Sequence, residues 1–296
     1  MSDLSVRLNA VIVSVADTGP RVMTVPAAPA LPAGDLEARS DPTLELALRR
    51  LVREQAGIEL GYVEQLYTFG DLARSQQGRR ISIAYLALVD AGLGPKGGEA
   101  GWLDCYELFP WEDWRSGRPA LIDEVLVPAL EAWVGGVAAR RERADIVFGL
   151  SGSRWDGARV LDRFELLYEV GLVDEKSADS DTPITGGVGR PMVLDHRRMV
   201  ATGLSRLRGK LAYRPVVFEL LPETFTLNQL QRVVETLAGV PLHKPNFRRL
   251  VERGGLVEGT GVADAQTGGR PAELFRFRRE VLRERPAPGV GLPGAR

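Results

Sequence analysis

The last third of the chain constrains the fold most, because its helix starts, helix stops and turns come in a dense, ordered series. Residues 225–239 (FTLNQLQRVVETLAG) read as a helix with Thr226 as N-cap and Gln229 at the capping-box position, each satisfying a backbone N–H that a first turn leaves orphaned. Residues 244–255 (KPNFRRLVERGG) read as a second helix, with Pro245 near the first turn and Gly254–Gly255 as the stop. LVEGTG and ELFRFRRE then flank the glycine-rich stretch ADAQTGGRPA, the pattern of strand, tip and strand. A helix over 197–211 and a strand over 215–221 are expected to precede them. Helix, strand, helix, helix and hairpin is the order of a winged helix-turn-helix, which presents a short helix to the major groove and a hairpin tip to the flanking backbone.

The side chains suit that use. Asn246, Arg248 and Arg249 lie near the start of the second helix, where they reach base edges; Arg can bond guanine bidentately and Asn can bond adenine. His243 and Lys244 sit at the N-terminus of the same helix, whose free N–H groups favour phosphate, and Arg253 adds a cation further along. At the tip, Gly269 lets the backbone approach closely and Arg270 carries a charge, whereas Leu250, Val251, Leu256 and Val257 are expected to be core. The segment 197–285 holds 17 Lys+Arg against 9 Asp+Glu, a surplus hidden by the whole-chain net charge of −1. The same arginines would suit a solvated face, or a surface that docks on an acidic protein. Their place in this element order within a basic segment favours a double-stranded DNA operator.

The rest of the composition narrows the chemistry. With 44% apolar and 26% charged residues in 296, the chain has the balance of a globular protein with about two domains. A lone Cys105 excludes an intrachain disulfide and multi-cysteine metal centres, and reads as a buried inert thiol. Only His196 and His243 could supply imidazole to a metal. No run approaches the roughly 20 apolar residues of a membrane span. The N-terminus lacks a cationic leader, so a cytoplasmic protein is expected.

The first part reads as a strand over 5–16, a Pro/Gly loop over 26–43, a helix over 44–57, and strands over 63–70 and 80–90, the last central. An amphipathic helix follows at 121–137, with Pro128 set to kink or split it, and another at 155–173. Residues 174–190 read as a flexible linker. Asp104, Glu107, Glu112 and Asp113 are spaced irregularly between tryptophans and read as a solvated surface.

Strand, Pro/Gly loop, helix ending in RE and G, then strands resembles the Nudix fold. Nudix hydrolases carry a box of glutamates on one helix face, which hold Mg²⁺ or Mn²⁺ against a pyrophosphate. Anchored on Gly57 and Ile58, Arg50 and Val52 match the box and Glu54 matches one glutamate; Leu51, Gln55 and Pro42 stand where three others belong. Gly34 matches the leading glycine if two extra residues are allowed. One carboxylate of four holds a hard cation weakly, so no catalytic residue and no firm metal or cofactor is expected. Glu45 reads as the i,i+4 partner of Arg49.

VEQLYTFGD, GRRISIAYLALV, LSRLRGKLAYRPVVFELLPETFTLNQLQRV, PNFRRLVERGGLVE and GGRPAELFRF together resemble the Nudix-related transcriptional regulators, the NrtR-like and NadQ-like repressors of NAD biosynthesis. The resemblance implies an α+β chain: a Nudix-like α/β/α ligand-sensing domain over 1–109, a mostly helical insert over 110–195, a C-terminal winged helix-turn-helix over 196–285 and a disordered tail over 286–296. It also implies a homodimer on a palindromic operator, released when an adenine nucleotide effector such as ADP-ribose, ATP or NAD binds. A diphosphate without a catalytic metal needs cations. Arg50, Glu54 and Arg80 are the first candidates, then Arg79 and Arg49, with Tyr67 and Phe69 to stack a purine. The alternative is an active Nudix pyrophosphatase acting on a nucleoside diphosphate derivative such as ADP-ribose.

Overall fold

The structure, a computed structural model, describes residues 5–26, 29–37, 39–70, 80–90, 92–96, 100–175, 187–264 and 271–290. The long apolar run at the start forms β1 (Ser5–Val15), the centre of a mixed sheet. β2 (Pro20–Thr24), β3 (Ala33–Asp35), β4 (Tyr62–Phe69), β5 (Arg80–Leu88) and β6 (Gly101–Asp104) complete it in the order β4-β5-β1-β2-β6, with β3 pairing β1 antiparallel. β1 and β5 run parallel, so the chain must cross over between them, and α1 (Leu44–Ala56) lies in that crossover. Thr43 caps α1 by accepting from the Leu46 N–H, and Gly57 ends it in a left-handed conformation.

Strand alternation divides the core. Leu8, Ala10 and Ile12 face α1 and meet Ala47, Leu48, Leu51 and Val52. Val11, Val13, Ala84 and Leu86 face the other way, towards α6 (His196–Leu211), and that second cluster runs on without a break through the helices beyond the sheet. After α2 (Cys105–Leu108), the stretch around Pro128 divides as its missing N–H requires. A π-turn segment covers Ile122–Leu126, with the Val127 N–H reaching back to the Ile122 carbonyl, and α3 (Val127–Val134) starts with the proline in its first turn. α4 (Ala138–Phe148), which sequence reading passes over, and α5 (Val160–Val170) pack beside it.

The expected strand at 215–221 is a 3-10 segment, Val216–Leu220. Its buried residues, Val216, Val217, Leu220 and Leu221, fall in pairs four apart, a helical spacing, and Pro215 and Pro222 bracket it. α7 (Leu227–Ala238), α8 (Lys244–Gly254), β7 (Val257–Asp264), β8 (Ala272–Phe277) and a last turn α9 (Val281–Glu284) follow. The Thr226–Gln229 capping box forms on α7 as expected. The expected disordered tail is not loose at its start: Val290 is 2% exposed and joins the core. Residues 291–296 lie outside the described residues, as do 176–186 of the expected linker. The linker's ends are seated, with Glu175 and Val188 buried.

Candidate nucleic-acid interface and effector pocket

On the box helix every candidate cation is engaged. Arg50 donates two bonds to Asp41, at 3.0 and 2.9 Å, and a third to Glu54 at 3.2 Å. The Arg50 guanidinium holds the Asp41 carboxyl below the usual carboxylate range. Arg49 pairs with Glu45 as expected and also bonds the Leu60 and Gly61 carbonyls; Arg53 pairs with Glu59. The two replaced box positions have structural work. Gln55 clasps Ala33, accepting from its N–H at 3.1 Å and donating to its carbonyl at 2.8 Å, which ties β3 to α1. Leu51 is buried against Gly34, where a Cβ would meet its Cδ2 at 2.4 Å. Asp41, beside the mismatched Pro42, is the residue that sequence reading missed; it gives no signal without the fold.

The six expected ligand residues that lie among the described residues divide between the two faces of the sheet. A β-bulge between Gln65 and Tyr67 turns the end of β4 over, so Tyr67 pairs with Ala84 and Phe69 with Ser82 on the α6 face of the sheet. Their rings meet edge to face at 5.4 Å, and Tyr67 is 63% exposed. Arg80, two residues before Ser82 at the start of β5, shares that face by alternation and bonds the Ser5 hydroxyl at 3.4 Å. Arg49, Arg50 and Glu54 belong to α1, on the opposite side. Arg79 lies outside the described residues.

A cavity of about 550 Å³ adjoins Tyr67 and Phe69, walled by α5 and α6. Its floor is a fixed charge group: Arg198 pairs with Glu165 at 2.7 Å and Asp195 at 3.0 Å and lies over the Tyr168 ring. At the same end of α6, His196 is buried and its Nδ1 accepts from the Leu31 N–H at 3.0 Å; burial, with Arg7 nearby, pushes its pKa down to about 4.

The acidic run at 104–113 is only in part the expected solvated surface: Glu107 is exposed and Asp104 and Asp113 are half-buried, but Glu112 is withdrawn from solvent. Glu112 is fully buried and holds two guanidiniums, Arg163 at 2.5 and 3.0 Å and Arg208 of α6. The Arg208 Nε donates to the Leu237 carbonyl at 2.7 Å, the Tyr106 hydroxyl to the Thr236 carbonyl at 2.6 Å, and the Trp114 N–H to the Gly239 carbonyl at 2.6 Å. Burial raises the Tyr106 phenol to about 12 and pushes the Cys105 thiol well above its usual range. The end of α7 is thus clasped by the segment after the sheet. Gly239 fits there because it is left-handed, at φ 69°, and because a Cβ would meet the Glu112 carbonyl oxygen at 2.3 Å. Arg197, also buried, pairs with Glu175. Part of the basic surplus read from the sequence is therefore internal.

The surplus that remains outside gathers on α8. Phe247 and Val251, both fully buried, anchor the helix. His243, Lys244, Asn246, Arg248, Arg249 and Arg253 line its exposed side. Arg249 donates to the Asn246 Oδ1 at 2.8 Å. Among the described residues, Lys244, Arg248, Arg249 and Arg253 have no carboxylate partner, and the first turn of α8 holds no acid to neutralise its N-terminus. Leu250, expected in the core, is 36% exposed, because it follows the arginines on the outer side of the helix. On the hairpin, Arg276 pairs with Glu258 at 2.6 Å and Arg278 with Glu284. The hairpin is joined to the start of α7 through a Phe225–Phe275 bridge. Gly269 and Arg270, at the expected tip, lie outside the described residues.

The family model for the NrtR DNA-binding winged helix domain matches residues 217–277, from the 3-10 segment through the second hairpin strand. This unit is an NrtR-type winged helix. Beyond the NrtR-type unit, the chain is 22% identical to the ADPR responsive transcriptional repressor NtrR of Acinetobacter baylyi over 248 residues, 84% of this chain and 69% of that protein. Shewanella oneidensis NrtR, solved with a 27mer DNA, superposes with a TM-score of 0.58 at 22% identity, covering 93% of this chain and 94% of the other. A MutT/nudix family protein of Enterococcus faecalis superposes with a TM-score of 0.54 at 16% identity, over 94% of this chain and 88% of its own. Over most of its length the chain is similar in fold to these two structures, a mixed-sheet domain carrying a winged helix. The coverage of the Shewanella NrtR means that most of the stretch 110–195, read as an insert, has a counterpart there.

Proposed function

We propose that this chain is a sequence-specific DNA-binding repressor of NAD metabolism genes, whose Nudix-type domain senses an adenine nucleotide such as ADP-ribose. The observation that carries the reading is the row of exposed cations on α8 without carboxylate partners, in a chain where Arg49, Arg50, Arg53, Arg163, Arg197, Arg198 and Arg208 are all paired with acids. Unpaired cations on a short anchored helix are free to meet phosphates and base edges. The A. baylyi repressor's name, ADPR responsive, supports a nucleotide effector. Two copies on a palindromic operator would place two such helices in successive major grooves.

The box helix acts as scaffold in this reading. Leu51 is spent on the core and Gln55 on Ala33, which leaves Glu54 beside Arg50 as the one box carboxylate. A hard divalent cation takes several oxygens, so the box is degenerate and hydrolysis is lost. The functional division places the sensor over 1–109 and the DNA reader over 196–285, with α6 shared: it lies against the sheet and clasps α7. Retardation of promoter fragments of NAD-biosynthesis genes by the full chain, weakened by ADP-ribose, tests the reading. Turnover of ADP-ribose with Mg²⁺ that Glu54→Gln abolishes would replace it with a pyrophosphatase.

A further inference from the structure

We propose that the turn after the hairpin makes a further contact with DNA, in which Arg285, held at the end of α8, meets a backbone phosphate beside the groove that α8 enters. The inference rests on the DNA-binding reading and extends its interface beyond residue 277, where the family-model match ends. α8 has 11 residues. At about 1.5 Å per residue it is roughly 16 Å long. The major groove is only about 12 Å wide. With the first-turn side chains at base edges, the far end of α8 is left at the phosphate backbone.

A cation is built into that end. Val281 is fully buried and Val290 is 2% exposed, so the chain between them is pinned at both ends. Between the pins, α9 hands Arg285 back to α8: its Nη2 donates to the Arg253 carbonyl at 2.9 Å. Arg285 is exposed, and this bond uses one arm of the guanidinium fork and leaves the other donors to solvent. The acid beside it in the chain, Glu284, is already taken. Arg278 donates to both Glu284 oxygens, the Nη1 bond at 2.8 Å, and holds that carboxyl below its usual range, with Arg285 adding a smaller share. Arg278 also caps α8, its Nε donating to the Gly255 carbonyl at 2.8 Å. The two guanidiniums thus divide the work: one neutralises the acid of the turn, and the other brings a charge to the end of the helix beside Arg253. From 278 to 285 four arginines stand against Glu280 and Glu284, so the turn is positive despite its acids. A guanidinium fixed before DNA arrives loses little freedom on meeting a phosphate.

Anisotropy titrations of labelled duplexes with the full chain, at several salt concentrations, test the assignment. Arg285→Gln is expected to weaken an NAD-biosynthesis promoter duplex and a random duplex by the same factor and to lower the salt slope by about one, the counterion of a single phosphate. Arg285→Lys, which keeps the charge, is expected to restore the slope. Thermal unfolding without DNA reads the structural share of the same side chain. A lower unfolding midpoint with an unchanged salt slope would make Arg285 a cap on α8 alone and overturn the contact. A loss confined to the promoter duplex would overturn it too, since a phosphate contact carries no sequence information. If the wild-type chain binds a duplex and Arg285→Gln matches it at every salt concentration, the contact is wrong and the DNA-binding reading survives. If the wild-type chain binds neither duplex, the reading and the contact fail together.

Discussion

Lys244, Arg248 and Arg253 are the side chains on which the proposed DNA recognition turns, because no acid among the described residues competes with a nucleic acid for them. Arg248→Ala is expected to cost about 1–3 kcal/mol of operator affinity and to relax the base preference at one position. Lys244→Ala is expected to weaken specific and random duplexes alike and to reduce the salt slope by about one. Anisotropy titrations at several salt concentrations separate the two. His196 makes a prediction about pH. Its imidazole charges at about 4 in the fold and at about 6.5 in the unfolded chain. Between those values the unfolded chain is the better proton binder, so stability is full above about 6.5 and falls by about 3 kcal/mol as the pH drops to 4. Denaturant unfolding at a series of pH values checks this. His196→Asn should flatten the dependence, and an unchanged slope would place its origin elsewhere.

At the scale of elements, the joint between α6 and the end of α7 is where the two halves are fixed. Arg208→Leu leaves Glu112 with Arg163 alone in a dry site and is expected to destabilise the chain by about 3–5 kcal/mol, read as a lower midpoint of thermal unfolding. Tyr106→Phe removes only the bond to the Thr236 carbonyl, at about 1 kcal/mol, and so tests the joint without breaking it. α7, α8 and the hairpin were legible in the sequence because their signals are local: a capping box, a proline in the first turn, a glycine stop and a glycine-rich tip. β1, α1 and β5 were legible from periodicity. β2 and β6 were not, being short strands whose pairing depends on distant partners. The 3-10 segment was misread because Val216 and Val217 carry strand propensity while the neighbouring prolines and the packing impose helical spacing.

At the scale of the molecule, one apolar cluster runs from the sheet through α5 and α6 to the winged helix, so the chain is not a reader on a loose tether. Of the site, the α8 cations were readable as a type and place. Their unpaired state was not, since it depends on which acids the fold brings near. Nor was the burial of Arg197, Arg208 and Glu112, because a charge run looks the same in sequence whether it faces water or a partner acid. The bulge at Tyr67, which turns two aromatic rings to the α6 face, is likewise invisible until β4 is paired with β5. In the proposed function, this connection is the route by which an effector would change the populations of two states, only one of which grips DNA. The central claim, a DNA reader governed by a nucleotide pocket, meets its most direct test in the anisotropy of a labelled NAD-biosynthesis promoter duplex titrated with the full chain, with and without ADP-ribose. The account predicts tight binding that a random duplex does not match at equal salt and that rising ADP-ribose reverses. Equal affinity for both duplexes, or brisk hydrolysis of ADP-ribose with no duplex bound, would contradict it.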